Sequence, residues 1–133
     1  NAAAGTPRPS GLERAPMPEP SAALIYTPLP DTETARTIAG TLLEERLIAC
    51  ANIMAPIESV FVWEGSVQSA AEVPVLFKTT SDRLDLAIAR LGALHPYETP
   101  AIVGTVCDAA HSDSLEWLAN ETQSEILTNT KSE

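Results

Sequence analysis

The sequence predicts an α+β domain of βαββαβ order, with two helices covering one face of a four-stranded antiparallel sheet. Short apolar runs with a β-branched and aromatic bias alternate with two segments whose apolar residues recur at i, i+3, i+4 and i+7. Two of those runs lie back to back around a Glu-Gly-Ser turn, which reads as a long hairpin. A chain of 133 residues has room for one core, so these elements belong to one domain.

The elements follow in order. "AALIYT" (Ala22–Thr27) is a buried strand stopped by Pro28 and Pro30. Asp31 offers an N-cap and Glu33 favours a first helical turn. Ala35, Ile38, Ala39 and Leu42 then mark an amphipathic helix ending near Leu47. Leu47–Gly65 is apolar and β-rich, with Pro56 marking a bend or bulge. A turn at Gly65–Ser66 sends the chain back along Val67–Thr80. A second helix starts at Ser81 or Asp82 and shows Leu84, Ala87, Ile88 and Leu91 on one face. Pro96 ends it, because the residue before a proline is pushed out of the α region. Ala101–Cys107 is the fourth strand, and Ser112–Glu121 a short terminal helix. This is the split βαβ arrangement of a ferredoxin-like sandwich with a C-terminal helix.

The expected domain layout is a disordered, Pro-rich arm over residues 1–21, the folded domain over 22–121 and a loose polar tail over 122–133. Eight basic against eighteen acidic side chains give a net charge of −10. Such a surface repels phosphate backbones and anionic lipid, which argues against nucleic-acid and membrane-surface partners. No stretch approaches the roughly 18 apolar residues that span a bilayer, and none has a signal-peptide apolar region. Cys50 and Cys107 sit in apolar runs, too few for a disulfide framework, which points to a reducing, cytoplasmic setting.

A sheet covered on one face should alternate apolar and polar residues. Here Phe61 and Trp63 point one way while Val60 and Val62 point the other. Val73, Val75 and Phe77 likewise oppose Pro74 and Leu76. Helices hide one face; a second copy of the chain is the economical cover for the other, with the arm or the terminal helix folded across it as the alternative, so a homo-oligomer is expected.

"ALIYTPLPDTETARTIAGTLLEERLIACANI", "SVFVWEG", "EVPVLFKTT", "LHPYETP" and "LEWL" occur in the order and spacing of the CutA divalent-cation tolerance proteins, which the chain resembles from about Ala23 to Ala119. The resemblance implies a homotrimer related in architecture to the PII signalling proteins, without settled enzymatic activity and linked to tolerance of copper and other divalent metals. It also implies an intersubunit cleft lined by Trp63, Lys78, His95, Tyr97 and Glu98. Phe61 stands where the family often has Tyr, Ala101 where it usually has Glu, and Ser114 where an aromatic is common. Tyr26 and Thr27 occupy the neighbourhood of a cysteine that some relatives use for copper.

On chemistry, His95 lies just past a helix C-terminus, whose dipole favours the imidazolium and so sets proton against metal. One His is a poor site alone; Glu98, Cys50 or a neighbouring subunit would complete it. Copper or another divalent cation is thus the expected ligand, and none is needed for folding. Tyr97 and Glu98 are stiffened between Pro96 and Pro100. Lys78, in an apolar strand, seeks an anionic ligand or an intersubunit salt bridge, and Trp63 suits an interface anchor. Cys50 and Met54 share a strand face but lie about 13 Å apart at ~3.3 Å per residue, too far for one ion. His111 reads as solvated. No triad, zinc-spaced cluster or Gly-rich phosphate loop is present. The expected function is metal tolerance with weak metal binding near His95. The alternatives are a PII-like small-molecule sensor or adaptor using the cleft, and a scaffold displaying the arm to a protein partner.

Overall fold

A computed structural model describes residues 20–123. Eight elements follow one another: β1 (Ala22–Leu29), α1 (Thr32–Glu44), β2 (Cys50–Ile53), β3 (Ile57–Trp63), β4 (Ser66–Thr80), α2 (Leu84–Leu94), β5 (Val103–Val106) and α3 (Ser112–Glu121). The sheet runs β2-β4-β1-β5, all antiparallel, with β3 pairing the first half of β4. This is the expected ferredoxin-like order, with β4 as the strand that all but β5 share.

Three boundaries differ from expectation. β1 does not stop at Pro28 but continues to Leu29. Pro28 stands directly opposite Pro74, so the two residues without an amide proton share one rung and the ladder loses its donors at a single place. The Leu47–Gly65 segment bends at Met54–Pro56, as expected of Pro56, but the break divides it into two strands and makes the sheet five-stranded; there Met54 N–H donates to the Pro74 carbonyl. The hairpin turns at Glu64–Gly65, one residue earlier than expected; both have positive φ (51° and 82°), the mark of a type I′ turn that matches strand twist.

Helix ends obey local chemistry. Asp31 caps α1 by accepting the Thr34 amide. The helix stops at Glu44, before the expected Leu47, in a Schellman arrangement: Leu47 N–H reaches Leu42 O and Arg46 N–H reaches Leu43 O. Arg46 takes the left-handed position usually given to glycine, at φ 60°. Beside it, Glu45 and Arg90 form a two-pronged ion pair at 2.9 Å between α1 and α2, which lowers the Glu45 pKa and raises that of Arg90. α2 begins at Leu84, later than expected, after a turn over Ser81–Arg83. His111, expected to be solvated, caps α3 through Nδ1 and the Asp113 amide.

The core lies between the sheet and α1 and α2. Ile25, Val75 and Phe77 from the sheet meet Ala35, Ile38, Leu42, Ala87 and Leu91 from the helices. Gly104 lets α2 close on β5: a Cβ there would stand 3.0 Å from Leu84 Cδ1 and 3.1 Å from the Leu24 carbonyl oxygen. α3 docks at the far end, where Thr122 is buried, donates to Leu118 O and receives Arg83 Nε–H on its carbonyl. Thr122 falls in the stretch expected to be a loose tail; the tail beyond Gln123 and the arm before Pro20 lie outside the described residues.

The other sheet face is open. Register places Tyr26, Glu72, Leu76 and Lys78 on it together with Ile57, Phe61 and Trp63 of β3. The hairpin projects past the helices, so its second face is bare too, and Val60, Val62 and Val67 are 66%, 70% and 73% exposed. Both faces are therefore apolar where the sequence pattern requires it.

Candidate functional site

The loop after α2 is built on His95. His95 is the C-cap of α2, its amide bonded to Leu91 O and its backbone already extended toward Pro96. Its ring turns inward, 7% exposed, beneath β1. Nδ1 accepts the Tyr97 amide at 3.2 Å, which assigns the proton to Nε2. Nε2–H then points at Pro28 O (3.1 Å) and Thr27 Oγ1 (3.0 Å), while the Thr27 hydroxyl donates to Ala101 O at 2.7 Å. One buried imidazole and one buried hydroxyl thus tie both ends of the HPYETP loop to β1. Burial pushes the His95 pKa down; the Pro28 carbonyl and the Glu72 charge pull it up but less. The expectation that the helix dipole would keep this ring protonated is corrected: desolvation outweighs it, and the ring is a neutral fastener.

Tyr97 leaves the loop on the other side. Its hydroxyl donates to Glu72 Oε2 at 2.8 Å, and its ring meets the His95 ring at 4.8 Å between centroids. Burial, then the Glu72 hydrogen bond and charge, push the phenol up to about 12, so it stays protonated as a donor. Glu72 is 8% exposed despite its charge.

Around this pair runs a cleft of about 640 Å³ on the open sheet face. β1 contributes Tyr26 and Pro28; the hairpin contributes Ser59, Phe61, Trp63, Ala70 and Glu72; the loop contributes Tyr97, Glu98, Thr99 and Ala101. The volume lies in the range of small-molecule sites. A shallower groove of about 310 Å³ lies elsewhere, between α1 and the end of α2.

Of the residues expected at the site, Trp63, Tyr97 and Glu98 share this cleft, with Glu98 exposed at its rim. His95 lies under the loop and does not line the cleft. Lys78 is on the same face but does not line the cleft; it stands two residues beyond Leu76, the strand partner of Tyr26, about 7 Å at ~3.3 Å per residue. Cys50 pairs with Lys78 on the edge strand β2 and does not line the cleft. Among the described residues, no group of three or more His, Cys, Asp or Glu side chains is placed to hold a metal ion. With both His95 nitrogens engaged, a single chain does not offer a resident metal site. Two functional residues were missed in the sequence, Thr27 and Glu72. Glu72 had a signal: it is the only charge within "AAEVPVLF".

Comparison with known proteins agrees with this geometry. The sequence model of the family described as "CutA1 divalent ion tolerance protein" matches residues 23–121. The divalent-cation tolerance protein CutA of Pyrococcus horikoshii is 40% identical over 100 residues, covering 75% of this chain and 97% of that protein. A chloroplastic CutA of rice is 36% identical over 100 residues, and the chain spans 56% of its length. Among solved structures, CutA1 of Ehrlichia chaffeensis superposes with a TM-score of 0.75 at 38% identity, over 79% of this chain and 98% of that one. A CutA of Archaeoglobus fulgidus described as periplasmic superposes at 0.73 with 34% identity, over 77% of this chain and 99% of that one. Relatives thus span several compartments, and no helix among the described residues is long and apolar enough to cross a membrane. The order of strands, the projecting hairpin and the proline-framed loop are those of a divalent-cation tolerance protein, and the chain belongs to the CutA family.

Proposed function

We propose that this chain serves divalent-metal tolerance in the cytoplasm as a homotrimer without enzymatic activity, and that it holds copper weakly at the His95–Glu98 loop. One observation carries the reading: each chain offers one exposed carboxylate at the cleft rim, Glu98, while both nitrogens of the nearby His95 are spent on the fold. Glu98 is then the first ligand. His95 joins only when Nδ1 gives up the Tyr97 amide, and that exchange keeps affinity low. A copper ion prefers more donors than this, so the remainder come from a neighbouring copy. The trimer is supported by apolar residues bare on both faces of the hairpin.

Copper titration followed by native mass spectrometry tests this. The expected result is a trimer with weak uptake, reduced several-fold in Glu98→Gln and His95→Asn and unchanged in Cys50→Ser. Equal uptake in all four proteins would remove the loop from the metal's path.

A second reading is favoured by the cleft itself. Its volume and its aromatic lining suit a small molecule better than a bare ion. In that reading the protein is a sensor or adaptor of PII type, and metal tolerance follows from what the cleft binds.

A further inference from the structure

We propose that Lys78 of a neighbouring copy enters the cleft and pairs with Glu72, so that two chains complete the cleft; this rests on the homotrimer reading. Val73, Val75 and Phe77 enter the core, so Glu72 and Lys78 alternate to the open sheet face, the one that a second copy covers in that reading. Within one chain they are six residues apart along the uninterrupted strand β4, about 20 Å at ~3.3 Å per residue. That is farther than the two side chains reach together. The pair therefore forms between copies or not at all.

The state of each residue is the first ground. Glu72 is already buried within one chain, so assembly only deepens it. Among the described residues its carboxylate has one hydrogen bond, from the neutral Tyr97 hydroxyl to Oε2. Lys78 is half-buried, and among the described residues its ammonium has no hydrogen bond or ion pair. A second copy over this face takes both charges out of water. Unpaired, each opposes association; paired, the carboxylate gains a charged donor and the ammonium its counter-charge.

The choice of partners is narrow. Among the described residues, Lys78 is the one basic residue carried by the sheet. Arg36 and Arg46 belong to α1 and its end, Arg90 on α2 is held by Glu45, and Arg83 donates to Thr122 O. On the acidic side, Glu72 and Glu98 line the cleft, while Glu58 alternates to the other face of the hairpin. Glu98 is exposed at the rim and keeps its water; Glu72 does not. One Lys78 and one Glu72 per chain also suit a head-to-tail ring. Each interface then uses the Lys78 of one copy and the Glu72 of the next, and none is left over. Glu98 stays free for a metal ion.

Native mass spectra of the full chain over a dilution series test this with two variants. Lys78→Met keeps the apolar stem, and Glu72→Gln keeps an acceptor for the Tyr97 hydroxyl. Each should raise the concentration at which the trimer dissociates about tenfold or more, because it leaves a buried charge alone. The double variant should be no weaker than the weaker single one. Lys78→Arg, which keeps the charge, should assemble nearly as wild type does, and circular dichroism should show one fold throughout. Mixing Lys78→Met chains with isotope-labelled Glu72→Gln chains restores an intact pair at one junction of every mixed ring. Mixed trimers should therefore exceed their statistical share. Additive losses in the double variant would overturn the pair, as would statistical mixing or single variants that assemble like wild type. Coupling of Lys78→Met to Glu98→Gln in place of Glu72→Gln would overturn it too. A wild-type chain found as a monomer would instead overturn the homotrimer reading, and the pair with it.

Discussion

Thr27 and His95 show how few atoms hold the loop in place. Thr27→Val removes the donor to Ala101 O and the acceptor for His95 Nε2 while keeping the shape of the side chain. It should cost about 1–3 kcal/mol in urea denaturation, the usual penalty for orphaned buried polar groups. Tyr97 gives a readout in the alkaline range. Its folded pKa is raised, so the protonated phenol contributes stability that is complete below the unfolded value near 10. That contribution fades as pH rises through about 12. The difference between phenolate absorbance curves of wild type and Tyr97→Phe should accordingly have its midpoint near 12. A midpoint near 10 would mean that the phenol is not buried against Glu72 in solution. The motif "HPYETP" announced itself in the sequence because prolines frame three chemically capable side chains. Its partners did not. A threonine in a strand reads as β-propensity, and a glutamate in an apolar run reads as an interruption. Their roles depend on a register that pairs Pro28 with Pro74 and brings a loop 68 residues away over Thr27.

Helices were more legible than strand ends. The apolar face of α1, Ala35, Ile38, Ala39 and Leu42, is the buried face in the fold, because a 3.6-residue period leaves one solution. One proline argues against a central strand and so shortens β1 in the sequence; two prolines facing each other reverse that argument, and their facing depends on register. The end of α1 carries a correctable strain. Arg46→Gly relieves a left-handed residue at φ 60° and should raise stability by about 0.5–1 kcal/mol after the extra flexibility of glycine in the unfolded chain. Gly104→Ala should do the reverse. Its methyl meets the ends of Leu84 and Ile88, which can yield, and the Leu24 carbonyl, which cannot. A loss of about 1–3 kcal/mol is expected from such overpacking, read as a lower denaturation midpoint at unchanged slope.

At the scale of the molecule, the proposed homotrimer would assemble through the two bare faces of the hairpin. Val62→Glu buries a charge wherever a second copy covers that face, and leaves the monomer core untouched because Val62 is 70% exposed. Native mass spectrometry should find the trimer lost and the circular dichroism of the fold retained; a surviving trimer would assign the contact to the Phe61–Trp63 face. β4 links this surface to the interior. Its first half is the inner rail of the hairpin, and its second half carries Val73, Val75 and Phe77 into the core between β1 and β2. Fifteen residues without an interruption make it a single beam with one end anchored and the other cantilevered. A load applied at the tip is resisted where the beam enters its wall, and that is the rung of Pro74, opposite Pro28, whose carbonyl also holds His95. Any deflection of the hairpin is therefore borne by the same few atoms that fasten the loop.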